Sequence, residues 1–120
     1  MKDKNEIFEL SFEFALEIIE LYKFLVSENE YIMSKQLLRS GTSIGANINE
    51  AQAAQTKKDF ISKMCIASKE ARETHYWIEL LRKSGYLDKY KQTELLLDHI
   101  TSIIKLLTKI VKTSQSSIQN

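Results

Sequence analysis

No proline occurs in the 120 residues, and glycine appears only at Gly41, Gly45 and Gly85. Turn-rich sandwiches and barrels need many more such residues, so an all-β fold is excluded. Cys65 is the single cysteine, which permits neither an internal disulfide nor a cysteine-based zinc site. No apolar run approaches the ~18 residues of a membrane span, and Met1-Lys2-Asp3-Lys4-Asn5-Glu6 lacks a signal-peptide apolar region. The expectation is a soluble cytoplasmic chain without metal, cofactor or membrane contact. What is present suits one globular domain: 43% hydrophobic and 28% charged residues, too apolar for disorder. At this length folding removes roughly two thirds of the unfolded surface from water.

The net charge of +1 conceals an asymmetry. Residues 1–30 carry three lysines against eight carboxylates, whereas beyond Asp98 there are three lysines and no acid. An acidic first helix on a mildly basic body reads as a solvated face with charges of both signs, with steering of anions to part of the surface as the alternative.

Hydrophobic periodicity predicts four helices. The first runs from about Lys4 to Val26, opened by an Asp3–Glu6 capping box, with Ile7, Ser11, Phe14, Ile18, Leu21 and Leu25 on one stripe. The second spans about Glu30 to Gln55, with Asn29 as N-cap and Met33, Leu37, Gly41, Ile44, Ile48 and Ala51 inward. It continues through both glycines because the apolar stripe keeps its phase, and Gly41 then lets a neighbouring helix come close. The third begins at a Thr56 cap, carries Phe60, Met64, Ala67, Ala71, Ile78 and Leu81, and ends at Gly85. The fourth is capped by Asp88 and turns Leu97, Ile100, Ile104, Leu107 and Val111 inward. Short connections make neighbours antiparallel, so residues 1–112 form one up-down-up-down four-helix bundle, followed by a frayed polar tail over 113–120.

Enzymes built on helical bundles have signatures that are missing here. Di-iron bundles need Glu-x-x-His twice, but Arg72 and Leu96 stand three residues before His75 and His99. Ribonucleases of the HEPN class set a His several residues after an Arg, and Arg72 precedes His75 by only three positions. Cys65 lies between Met64 and Ile66, an inert apolar setting. The expectation is therefore no catalysis, and interaction surfaces become the question. Lys69, Arg72, Tyr76 and Lys83 on the third helix, and Lys105, Lys109 and Lys112 on the fourth, are candidates for phosphate contact and base stacking in RNA or a ribonucleoprotein. A protein scaffold without nucleic acid is the alternative. The apolar arcs of helices one, three and four are wider than one core needs. Phe8, Phe12, Ile66, Trp77, Leu80, Leu95 and Leu106 are the surplus, a candidate interface between copies of the chain.

One polar constellation stands out. At 100° per residue, Arg39, Ser43, Asn47 and Glu50 form a ladder along the flank of the second helix. It reads as a half-buried hydrogen-bond network fixing helix register, with an anion or base-edge site as the alternative. The same segment, Arg39-Ser-Gly-Thr-Ser-Ile-Gly-Ala-Asn-Ile-Asn-Glu-Ala51, resembles the signature of the bacterial four-helix-bundle proteins encoded in intervening sequences of 23S ribosomal RNA genes. Phe60, Ala67-Ser68-Lys69-Glu70-Ala71, Glu73, Leu80 and Gly85-Tyr86-Leu87 extend the resemblance over residues 5–112. Ala51 departs from it, since many relatives have glycine there. The resemblance implies a homo-oligomer, typically a pentameric ring, with no established catalytic activity. The chain is also similar to the markedly basic accessory bundle of diversity-generating retroelements, which works with nucleic acid; this chain is nearly neutral.

Overall fold

A computed structural model describes the backbone of residues 2–119 and their side chains apart from those of Lys2, Lys4 and Gln119. The chain is an antiparallel four-helix bundle: α1 (Lys2–Ser27), α2 (Met33–Gln52), α3 (Lys57–Lys83) and α4 (Thr93–Gln119). Each helix packs on two neighbours, α1 on α2, α2 on α3, α3 on α4 and α4 back on α1, and the diagonal pairs stay apart. The bundle measures 50 × 21 × 19 Å. No helix among the described residues is long and apolar enough to cross a membrane.

The helix ends differ from expectation where side chains found better partners. Asn29 does not cap α2; it takes φ 65° and ends α1. The Glu30 N–H bonds the Leu25 carbonyl at 2.9 Å and the Asn29 N–H that of Val26 at 3.0 Å, a Schellman stop. Glu30 then does the capping. Its carboxylate accepts the N–H groups of Ile32, Met33 and Ser34 at 3.2, 3.1 and 2.6 Å, so α2 starts at Met33. Asp3 lies inside the first turn of α1 and pairs with Lys109 at 3.1 Å instead of capping. Thr56 accepts the Asp59 N–H at 3.0 Å, as its sequence position predicts. Gly85, at φ 93°, closes α3 by the same Schellman geometry, with Tyr86 N–H on the Leu81 carbonyl at 3.0 Å.

The fourth helix begins at Thr93 rather than after Asp88. Leu87 is buried in the core and the Tyr90 ring meets Phe24 at 4.8 Å, so the intervening turns pin the chain across the bundle end. The core-facing line of α4 is also rotated: Leu96, Ile103 and Ile110 are buried, while Leu97, Ile104 and Val111 pack at its margin. A helix serving both α1 and α3 centres its stripe between them. Helical backbone continues past Thr113 into the segment expected as a polar tail. Helix α4 runs to Gln119, Lys57 of α3 donates to Ser117 at 2.8 Å, and Asn120 lies outside the described residues.

One contiguous core fills the bundle. The stripes expected on α1 and α3 are buried throughout, and α2 runs unbroken through its glycines. Gly41 is where α1 and α2 approach: a Cβ there would stand 2.8 Å from both Ile18 γ-carbons.

Candidate functional site

The four ladder residues do not form one network. Arg39 reaches across to α3, where Nη1 meets Glu70 at 2.9 Å and Nη2 forms a short bond to Glu73, while its Nε donates to Gln36 on α2 at 3.4 Å. Glu73 also accepts the Trp77 indole N–H at 3.0 Å. That indole bond first, and Arg39 second, hold the Glu73 carboxyl below the usual carboxylate range, and the bond to Glu73 raises the guanidinium. At the other end Lys63 donates to Glu50 at 2.9 Å. Between them, Asn47 stays on its own helix, with Nδ2 2.9 Å from the Ser43 carbonyl and 3.3 Å from its hydroxyl. The ladder is thus two ionic cross-braces from α2 to α3 with a local amide bond in the middle. Behind Arg39, the buried hydroxyls of Ser40 and Thr74 share a 2.9 Å hydrogen bond. These α3 partners were not assigned from the sequence, although Glu70 and Glu73 sit in the segments that carry the resemblance.

The outward cations fall into two groups. Lys69, Arg72, Tyr76 and Lys83 lie exposed within an arc of about 60° on α3. All three glutamates of that helix are engaged elsewhere, Glu70 and Glu73 by Arg39 and Glu79 by Arg82 at 2.8 Å. Lys69, Arg72 and Lys83 therefore have no carboxylate partner among the described residues. Lys105 and Lys112 of α4 are likewise exposed and unpaired, but Lys109 is taken by Asp3. Arg82 approaches Glu94 at 3.7 Å, and this antiparallel register sets Arg72 level with Lys105. The two groups form one basic face over α3 and α4.

The expected interface residues divide too. Phe12, Ile66, Leu80 and Leu95 are exposed, as a contact surface requires. Phe8, Leu106 and Trp77 are half-buried: each packs partly against the core, and the Trp77 N–H is bonded to Glu73. Missing from the expected set are Leu16 and Ile19, exposed beside Phe12. Leu16, one turn after Phe12, carried the signal in its spacing. With Gly45 and Ala46 these residues line a groove of about 470 Å³ between α1 and α2.

The profile of the family described as 23S rRNA-intervening sequence protein matches residues 3–109. The chain belongs to that family. A solved protein of unknown function from the S23 ribosomal protein family of Bacteroides thetaiotaomicron is 52% identical, with a TM-score of 0.87, over 92% of this chain and 98% of that one. Among functionally curated proteins none matches. In this member of the family, the Arg39–Ala51 segment that resembles the signature faces α3 through its charged residues and α1 through its glycines.

Proposed function

We propose that the protein is a non-catalytic bundle that assembles with copies of itself and presents the α3/α4 face to RNA. The observation that carries this reading is the segregation of its outer surface. Cations without a carboxylate partner among the described residues gather on α3 and α4 with Tyr76 exposed among them, while Phe12, Leu16 and Ile19 stand exposed on α1, Ile66 and Leu80 on the α2-side edge of α3, and Leu95 and Ile118 on α4. Arg72 of α3 stands level with Lys105 of α4, so a strand crossing between the two helices meets cations from both. Tyr76 adds a ring on which a base stacks. A single subunit of net charge +1 holds RNA weakly. Repetition of the face in an assembly multiplies the apparent affinity without new contacts.

The test is a salt titration of single-stranded RNA binding by the wild type and by an Arg72→Gln, Lys105→Gln, Lys112→Gln variant. Each phosphate contact contributes roughly −0.7 to the slope of log affinity against log salt. The expected result is weaker binding with a shallower slope at unchanged particle mass. Equal slopes would remove this face from the reading. Absence of wild-type binding at low salt would favour a protein scaffold instead.

A further inference from the structure

The groove between α1 and α2 is open and apolar, and Glu9 and Glu13 line an adjoining hollow on α1 that shares Phe8 and Phe12 with it. Phe12 and Leu16 line the groove while 56% and 49% exposed, and Gly45, with no side chain, leaves its floor open. Glu9 and Glu13, one turn before these two residues, make no ion pair among the described residues. The α2-side edge of α3 has the opposite character. Ile66 and Leu80 stand out at 41% and 38% exposure with the half-buried Trp77 behind them. They span about 21 Å of helix. Lys69 and Lys83, each three residues beyond one of them, make no ion pair among the described residues.

We infer that the α1/α2 groove of one copy receives the Ile66–Leu80 edge of α3 from the next copy. The inference rests on the self-assembly reading and names the surfaces that carry it. Charge decides the pairing. Groove against groove would set Glu9 and Glu13 against their own images, and like charges across an interface are unfavourable. Groove against edge sets them near Lys69 and Lys83. Both surfaces join apolar area to a charged margin of complementary sign, and they occupy different sides of the bundle. A contact between two different surfaces is heterologous: each subunit gives an edge and receives one, so the chain of contacts closes into a ring or continues as a filament. The basic α3/α4 face then stays outside the contact except at its Lys69 and Lys83 margin.

Complementation tests this. Leu16→Glu places a charge in the groove and leaves the edge intact; Leu80→Glu does the reverse, with Ile66→Glu as a second edge variant. All three sites are exposed, and circular dichroism checks that each variant retains its helices. Light scattering on gel filtration should give a wild-type mass several times the 13.9 kDa chain and monomers for each variant alone. An equimolar mixture of Leu16→Glu and Leu80→Glu should give a species of about two chains, because one intact groove still meets one intact edge. A monomeric wild type overturns self-assembly and this inference with it. A wild-type oligomer alongside edge variants of undiminished size overturns the pairing while self-assembly stands. Monomeric variants that do not combine on mixing also overturn the pairing.

Discussion

Gly41 and Gly45 lie one turn apart on α2, and their replacement by alanine should act in opposite directions. In each case a helix interior gains intrinsic propensity, about 1 kcal/mol for glycine to alanine. The packing cost differs. At Gly41 the new methyl meets Ile18 Cγ1 and Cγ2 at 2.8 Å and its Cβ at 3.2 Å, against about 3.5–4.0 Å for comfortable carbon contacts. Ile18 is completely buried and β-branched, so it has no rotamer into which to retreat. The helices must separate, an overpacking that costs about 1–3 kcal/mol. With Ile18 so confined, the upper part of that range applies, leaving Gly41→Ala about 1–2 kcal/mol less stable. At Gly45 the nearest atom is Ser11 Oγ at 3.4 Å, an ordinary contact. Propensity wins there, and Gly45→Ala should be more stable by about 0.5–1 kcal/mol. Urea unfolding followed by circular dichroism, at matched protein concentration because association adds apparent stability, reads both values. A Gly41→Ala protein as stable as wild type, or two variants shifted the same way, would refute the close-approach argument.

Two further outcomes follow from the caps and the Glu73 site. Glu30→Ala removes the acceptor of three backbone N–H groups and should cost about 2–3 kcal/mol, more than the ~1 kcal/mol of Thr56→Ala, as urea midpoints will show. Trp77, the sole tryptophan, reports on Glu73 through its indole bond, so its emission should change with a midpoint below the about 4.3 of a free glutamate. Because Glu73 is depressed in the folded state, its stabilising contribution is full above the unfolded value and is lost as pH falls through the folded one. Arg39→Met should raise that midpoint but leave it below the ordinary value, since the indole bond is the larger cause; an unmoved midpoint would show that the ion pair does not form in solution.

The bundle was legible because three of its four stripes are unambiguous and its stops are short. Thr56 and Gly85 announce themselves, each being the residue type its backbone position favours. Asn29 misleads because asparagine serves equally as an N-cap and as a left-handed stop, and only the position of Glu30 decides between them. Asp88 misleads for a different reason: Leu87 and Tyr90 find places against α1 and the core, and such tertiary packing leaves no periodic trace. The candidate site was legible on one side only. Spacing placed Arg39 and Glu50 on a common flank, but spacing within a helix cannot say which carboxylate or lysine of another helix answers them. Lys109 shows the same limit, since Asp3, its partner, is over a hundred residues away in the chain.

Helix α2 touches α1 and α3 on opposite flanks. Through Gly41 it lies so close to α1 that Ile18 fills the gap, and at Gly45 the absent side chain leaves the floor of the α1/α2 groove open. Its opposite flank is tied to α3 by Arg39 at one end and Glu50 at the other, with the buried Ser40–Thr74 bond between them. The buried stripe of α3 sets its rotation, and in that rotation Glu70 and Glu73 meet Arg39 while Ile66 and Leu80 stand exposed. The ion pairs are open to water and contribute little energy individually. They follow from the core rather than create it: a roll of α3 by one residue, about 100°, would lift Met64, Ala67 and Ile78 out of the core. The polar ladder is therefore the outer seam of the α2–α3 contact, with Arg39 and Glu50 answering charges that core packing has already brought opposite them.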